Sequence, residues 1–454
     1  MVGRFELVSG WGRTSPSYCD IRRPATDQEV VEIIETAKKT DKQIIPRGLG
    51  RSYGDAAQLG GNIVIDARSL DHIYGCDLES GVISVGAGIS LDALMRIFVP
   101  MGWFVPVTPG TRFVTVGGAI AADVHGKNHH VDGSFGNHVI SLTLIGSSGV
   151  MELDPSSEDF WATVGGMGLT GTIVRATIQM SKIETSLIKV DTERASDIDD
   201  LISIMEATDD NYKYSVAWID LISSGKNLGR SVLTRGDHAL LEDLPIQKRK
   251  RARYFDPKVG PKAPLSPPFS PLTPLTVKTF NTLWYYKSPS RKLGELQEIT
   301  KFFHPLDGVG DWNKLYGPKG FCQYQFVVPF GQEDALKEII DVTSRSKMTS
   351  FLAVLKRFGE GNASHLSFPS PGWTLALDVA LGSLGPAKYF DYLDNVVLKA
   401  GGKIYLAKDS RVRPDLFSAM YPNLPKWQVI RDRLDPDNLF SSDLAKRLSI
   451  LETK

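Results

Sequence analysis

Cysteine is scarce in this 454-residue chain. Cys19, Cys76 and Cys322 are its only thiols, widely spaced and odd in number. They supply neither a disulfide framework nor a zinc site, and they fit a reducing compartment. A surplus of charge is missing too: 52 basic residues balance 52 acidic ones. That balance argues against a dedicated nucleic-acid binder. No stretch approaches about 18 uninterrupted apolar residues, so no membrane span is expected. The first residues, Met1 to Glu6, lack the apolar core of a signal peptide. Hydrophobic content of 42% and charged content of 23% are ordinary for a globular protein of two or three domains.

Glycine is plentiful, and it is clustered. The stretch Gly110 to Asn137 holds six glycines, three histidines (His125, His129, His130) and Lys127, with few large aliphatic residues after Ile120. Such a segment builds no core; it lets backbone approach a ligand closely. Its run Gly117-Gly118-Ala119-Ile120-Ala121-Ala122 reads as a turn entering a helix whose free N–H groups face an anion. A second glycine loop lies upstream: Arg47, Gly48, Leu49, Gly50, Arg51, Ser52, Tyr53, Gly54 and Asp55. Two such loops in one half of the chain point to a phosphate-bearing cofactor.

Around these loops, Asp27 is expected to cap a helix from Gln28 to Lys39. Short strands follow at 44–46, 62–66 and 81–88, and Ser90 caps a helix over 91–98. Strands are expected at 139–145 and 172–180. From about Thr185 the pattern changes to alternating strands (214–219, 323–328, 351–356, 373–379) with helices at 198–207, 333–346 and 388–398. This reads as an antiparallel sheet with helices on one face. The whole is α+β, with expected domains at 1–184 and 185–402 and a C-terminal segment, 403–454, returning to the first. Within 241–278, a basic run (Lys248 to Arg253) precedes seven prolines between Pro257 and Pro274. Proline at that density predicts a mobile loop without helix or central strand, and its cations suit anionic headgroups.

Several separated pieces resemble flavoproteins of the vanillyl-alcohol-oxidase type, with their PCMH-type FAD-binding domain. They are the 46–55 loop, Pro109-Gly110-Thr111-Arg112 with Thr115-Val116-Gly117-Gly118, Val164 to Gly171, and Asp435 to Phe440. Further blocks resemble the members that oxidise a polyprenyl-phosphoryl ribofuranose: His125 to His130, Phe303 to Asp307, Gln323 to Phe326, and Lys408 to Arg411. The resemblance spans nearly the whole chain. It implies FAD held by Arg47 to Asp55 and by Gly110, Thr115, Val116, Gly117, Gly118, Ala122, His125, Ile173 and Tyr405. The histidine that carries FAD covalently in some relatives is replaced by Tyr53, which implies dissociable cofactor.

It further implies oxidation of the sugar at C2 to a 2-keto sugar, completed by a separate NADH-dependent reductase, with a quinone-like electron acceptor. His125 and Lys408 are the implied catalytic pair. Lys127, Trp218, Phe303, Gln323, Gln325, Lys356, Phe358 and Ala376 are the implied substrate contacts; Ala376 stands where the mycobacterial members carry a thiol. A lipid-linked substrate implies peripheral membrane contact, on either face of the inner membrane, or a cytoplasmic location. No metal is expected: three histidines in six residues lack carboxylate or cysteine partners at ligand spacing. Two other readings stay open, an FAD oxidase of a soluble sugar or aldonolactone and a flavin-free scaffold.

Overall fold

The computed structural model describes residues 3–258, 260, 262, 273–346, 348, 350, 352–381 and 386–451. Three sheets form the N-terminal part, one of them only the strand pair Trp103–Phe104 and Ser181–Lys182. The first has strand order Arg4–Val8, Ser17–Arg22, Ile63–Asp66, Ile44–Arg47, with the last three strands parallel. Its four-residue strand Ile63–Asp66 is buried on both faces, as parallel pairing under a helix demands. That helix, Asp27–Lys39, buries Val30, Ile33, Ile34 and Ala37 on one side, the 3.6-residue spacing its sequence shows. Its cap is Thr26 rather than the expected Asp27: Thr26 accepts from Glu29 N–H, and Asp27 sits in the first turn.

The second sheet is antiparallel, in the order Ile73–Asp77, Val82–Gly86, Thr172–Gln179, Val139–Gly146, Gly149–Leu153.

A larger antiparallel sheet of eight strands follows. Its order is Arg291–Glu298, Leu187–Ala195, Ser231–His238, Tyr214–Ile219, Ala353–Phe358, Gly372–Ala380, Phe321–Val328 and Lys403–Ile404. Helices Ile198–Thr208, Glu333–Arg345 and Pro386–Lys399 pack on it through Leu201, Met205, Leu336, Ile339, Phe390 and Leu393. Along each central strand the side chains alternate between two destinations. Leu355, Leu375, Tyr324 and Phe326 enter the core beneath the helices. Their neighbours Lys356, Ala376, Gln323 and Gln325 face a cavity on the opposite side.

The stretch 241–278 departs from expectation where it is described. Leu241–Asp243 and Ile246–Arg249 are short helical turns, and Ala252 packs with Ala239 and Leu244. Ser186 N–H donates to the Ala252 carbonyl at 2.7 Å, tying the basic run to the sheet. Pro274 opens a 14-residue helix, Pro274–Lys287, because the first helical position needs no N–H donor. The expected mobile loop otherwise falls on Val259, Pro261 and residues 263–272, outside the described residues.

Candidate active site

One cavity of about 980 Å³ runs from the glycine loops to the open face of the eight-stranded sheet. At one end lies the loop Arg47 to Ser52. Arg47 fixes it by donating to the carbonyls of Ala57 and Ser9, both at 2.8 Å. Gly50 has φ of 64°, and a Cβ there would lie 2.3 Å from the Arg47 guanidinium. Tyr53 N–H donates to the Ala407 carbonyl at 2.8 Å. Among the described residues nothing accepts from the N–H groups of Leu49, Gly50, Arg51 or Ser52, and Arg51 Nε is buried without a partner. A row of unpaired donors on a half-buried loop fits the pyrophosphate of a dinucleotide. FAD would therefore be held along Gly48 to Ser52.

The second glycine run works differently from its sequence reading. The helix Val116–Ala121 starts there, but its first amides are already bonded: Val116 to the Ile89 carbonyl, Gly117 to the Ala87 carbonyl, and Gly118 to Thr115 Oγ1 at 3.2 Å. The glycines serve close packing instead. A Cβ on Gly117 would meet Ala87 Cβ at 3.0 Å, and one on Gly48 would meet Thr115 Oγ1 at 2.1 Å. Gly110, Thr115, Gly117, Gly118, Ala122, Ile173 and Tyr405 line the cavity; Val116 does not and is core. Gly54 and Asp55 also lie outside it. Gly54 packs on the Asp409 carbonyl, and Asp55 takes both arms of Arg447 at 2.8 Å. They brace the loop against the C-terminal helix Asp443–Arg447.

At the other end four basic side chains converge. His125, read from sequence as a loop residue of little core character, is buried. Its Nε2 meets Gln325 Nε2 at 2.9 Å and its Nδ1 meets Lys356 Nζ at 3.1 Å. Burial, then the charges of Lys356, His129 and Lys408, push its pKa well below the usual value, so the imidazole is neutral. Phe358 does not line the cavity; its ring packs on His125 at 4.8 Å and on His129 at 4.4 Å.

Lys127, Lys356 and Lys408 are each pushed down to about 7, chiefly by burial. Lys127 donates to the Phe302 carbonyl and lies 4.2 Å from the Phe302 ring centroid. Lys408 follows a turn after the two-residue strand Lys403–Ile404, shorter than its sequence suggests. Its Nζ rests 3.8 Å from the Tyr53 ring centroid, and no described residue accepts a hydrogen bond from it. Asp378 is pushed up to about 6 by burial, against the hydrogen bonds from Gln323 at 2.6 Å and Tyr316 at 2.9 Å and the charge of Lys408. Three half-buried lysines line this chamber, and Asp378 offsets the charge of Lys408 alone. An anionic ligand would be favoured there.

Trp218, Phe303, Gln323, Gln325 and Ala376 also line the cavity. His129 and His130 do not. His129 Nδ1 accepts from Gly359 N–H, and His130 bonds the carbonyls of Asp209 and Tyr212. Among the described residues no group of three His, Cys, Asp or Glu is placed to hold a metal. Sequence reading missed the mouth of the cavity, formed by Phe280, Trp284, Lys287, Lys292 and Lys301. No motif marks them; only the sheet order brings them there.

Comparison with known proteins agrees with this geometry. Residues 21–154 match a family model described as an FAD binding domain, and residues 321–448 match one described as D-arabinono-1,4-lactone oxidase. The chain is 44% identical to the decaprenylphosphoryl-beta-D-ribose oxidase of Mycolicibacterium smegmatis, over 98% of this chain and 97% of that one. It is 21% identical to an L-gulono-1,4-lactone dehydrogenase of Mycobacterium tuberculosis, over 94% and 95%. A Streptomyces coelicolor protein of unassigned function is 37% identical over 80% of this chain and all of its own. A cavity lined by unpaired loop amides and half-buried lysines, on a two-domain α+β frame, places this chain among FAD-dependent oxidoreductases: it belongs to the family of decaprenylphosphoryl-β-D-ribose oxidase.

Proposed function

We propose that the protein oxidises a prenyl-phosphoryl pentofuranose of the decaprenylphosphoryl-β-D-ribose type at C2, giving the 2-keto sugar. The observation that carries this reading is the convergence of three half-buried lysines, Lys127, Lys356 and Lys408, on one cavity with His125. A neutral sugar or lactone has no use for them; a phosphodiester does.

Bound FAD supplies the hydride acceptor of the reaction. The chain's own residues handle the proton and the position of the sugar. Lys408 has a free amine with a pKa near 7, so its neutral form is available to take the hydroxyl proton. His125, engaged on both ring nitrogens, stays neutral and holds Gln325 and Lys356 in place beside the sugar. Lys127 meets the phosphate, with the sugar lying over Trp218 and Ala376. Gly54, Asp55, Val116 and Phe358 support these groups from behind. FAD is dissociable, since Tyr53 stands at the attachment position. A quinone-like compound reoxidises the cofactor, and an NADH-dependent reductase consumes the 2-keto product.

A second reading, oxidation of a soluble aldonolactone, is favoured by the family model over residues 321–448. The two separate in one experiment. The yellow holoenzyme is mixed anaerobically with a prenyl-phosphoryl ribofuranose or with an aldonolactone, and the visible flavin band is followed. Bleaching by the former supports the proposal, and bleaching by the lactone alone overturns it. Acid precipitation of the same sample should leave free FAD in the supernatant; flavin in the pellet would overturn dissociable binding.

A further inference from the structure

The open face of the eight-stranded sheet continues well past the chamber that holds His125 and Lys408. Strand register sets its side chains in two rows. In the first, Gln325 stands opposite Ala376, Ala376 opposite Val354, Val354 opposite Trp218, and Trp218 opposite Val232. The second lies two residues further along the strands. There Val216 stands opposite Thr234, Thr234 opposite Thr192, and Thr192 opposite Lys292. All of these residues line the cavity. The alternate residues Ala217, Leu233, Leu355 and Leu375 are packed beneath the helices. The wall is therefore fixed from behind, because a slip in register would expose that core.

The first row steps across the strands from Phe321–Val328 to Ser231–His238. Four steps at about 4.8 Å each make it roughly 19 Å long. A ribofuranosyl phosphate is shorter than that and covers only the end near Ala376. Past Ala376 neither row carries a charged side chain until Lys292; Lys356, on the strand of Val354, bounds the chamber end. Val354, Trp218, Val216 and Thr234 are only half-buried. Thr234 donates its hydroxyl to the Val216 carbonyl at 3.2 Å, so that polar group is already satisfied. Such a surface offers a ligand burial rather than hydrogen bonds. Polarity returns at the far end, where Lys292 lies 3.3 Å from Glu295.

A long, narrow, uncharged tract that starts beside phosphate-binding lysines suits a slender hydrocarbon attached to a phosphate. From this continuity we infer that the wall from Val354 to Thr192 binds the first isoprene units of the substrate's prenyl chain, laid across the strands. The inference rests on the reading that the substrate is a prenyl-phosphoryl sugar. It gives the enzyme a grip on the chain as well as on the phosphate and the sugar.

The test uses FAD-loaded protein and isothermal titration with dimethylallyl, geranyl, farnesyl and geranylgeranyl phosphate, each below its aggregation concentration. No turnover is needed. Affinity should rise about tenfold with each unit added, the worth of burying a few methylene groups, and then level as the chain outruns the tract. Val232→Phe fills the end of the first row, and Thr234→Asp puts a charge in the second. In each variant the gain should stop at a shorter chain. A variant that is merely misfolded weakens every length by the same factor, and that result from both overturns the inference. Affinity that ignores chain length in the parent also overturns it, as does an unchanged length dependence in both variants. The same chain lengths are then offered as prenyl-phosphoryl ribofuranoses, with the flavin band followed anaerobically. If the length dependence holds but none of these bleaches the flavin, the tract stands and the substrate assignment falls.

Discussion

Lys356 Nζ stands 3.1 Å from Nδ1 of His125. Two buried basic nitrogens at that separation share one proton at most, because a second positive charge finds no counter-ion there. After burial itself, the Lys356 charge lowers His125, while Lys356 is lowered by burial and then by the charges of Lys408 and Lys127. The pairing also makes the chamber costly to fold when empty of an anion.

That cost is measurable. In the folded state Lys356 titrates at about 7, against about 10.5 for a free lysine. Between these values the unfolded chain holds more protons than the folded one, so stability rises with pH across this window. Lys356→Met removes the effect. The variant should melt at a higher temperature than the parent near pH 7, and the gap should close towards pH 10. Thermal melts of both proteins across that range are the check; a gap independent of pH would contradict it.

Lys408 is expected to act as a neutral amine. The rate at saturating substrate should therefore rise with pH through about 7 as its ammonium deprotonates. Lys408→Ala should lose about 10²–10⁴-fold in kcat. Lys408→Arg keeps the charge and cannot deprotonate, so it should be no better than the alanine variant and should lack the rising limb. Full activity in the arginine variant would assign Lys408 an electrostatic role instead.

Gly48 is the tightest point between the two glycine runs. Gly48→Ala places a methyl group 2.1 Å from Thr115 Oγ1, the atom that caps the Val116–Ala121 helix. The cap is worth about 1 kcal/mol, and the loop it displaces carries the free amides. The purified variant should contain less flavin per chain than the parent, read from visible absorbance.

Ala376 lines the cavity without a thiol. Electrophiles that inactivate relatives by modifying a pocket cysteine should leave no dialysis-resistant block of activity here. Cys322 lies one strand away, yet its thiol is pushed up to about 12 by burial and stays unreactive. Cys76 is exposed and lies outside the cavity lining, so labelling it should leave activity unchanged. Ala376→Cys should restore time-dependent inactivation, detected as a mass shift on the tryptic peptide that carries it.

How far the sequence reveals this molecule varies with the range of the interaction. The helix Asp27–Lys39 and the strand Tyr214–Ile219 are legible because their periodicity is local. The Thr26 cap was misread by one position because Thr and Asp both serve that role. His125 looks like a loop residue until Gln325 and Lys356, 200 and 231 positions away, close over it. The helix Pro274–Lys287 was hidden for two reasons. Proline density masked its start, and its polar side faces the protein, so hydrophobic patterning gives no signal. The free amides of 49–52 were anticipated as a glycine loop. Those of 116–118 are not free, since Ile89 and Ala87 reach the first two from a strand end that sequence spacing does not reveal and Thr115 Oγ1 caps the third.

The first glycine loop is finished by residues from the far end of the chain. Ala407 anchors Tyr53, Arg447 clamps Asp55, and Phe440 bridges to Ile44. During synthesis, then, the cradle for the pyrophosphate stays half-built until residue 447 has been made. Cofactor uptake becomes a late event, and flavin colour reports that both ends of the chain have met. A lesion in the last helix should therefore appear first as pale protein.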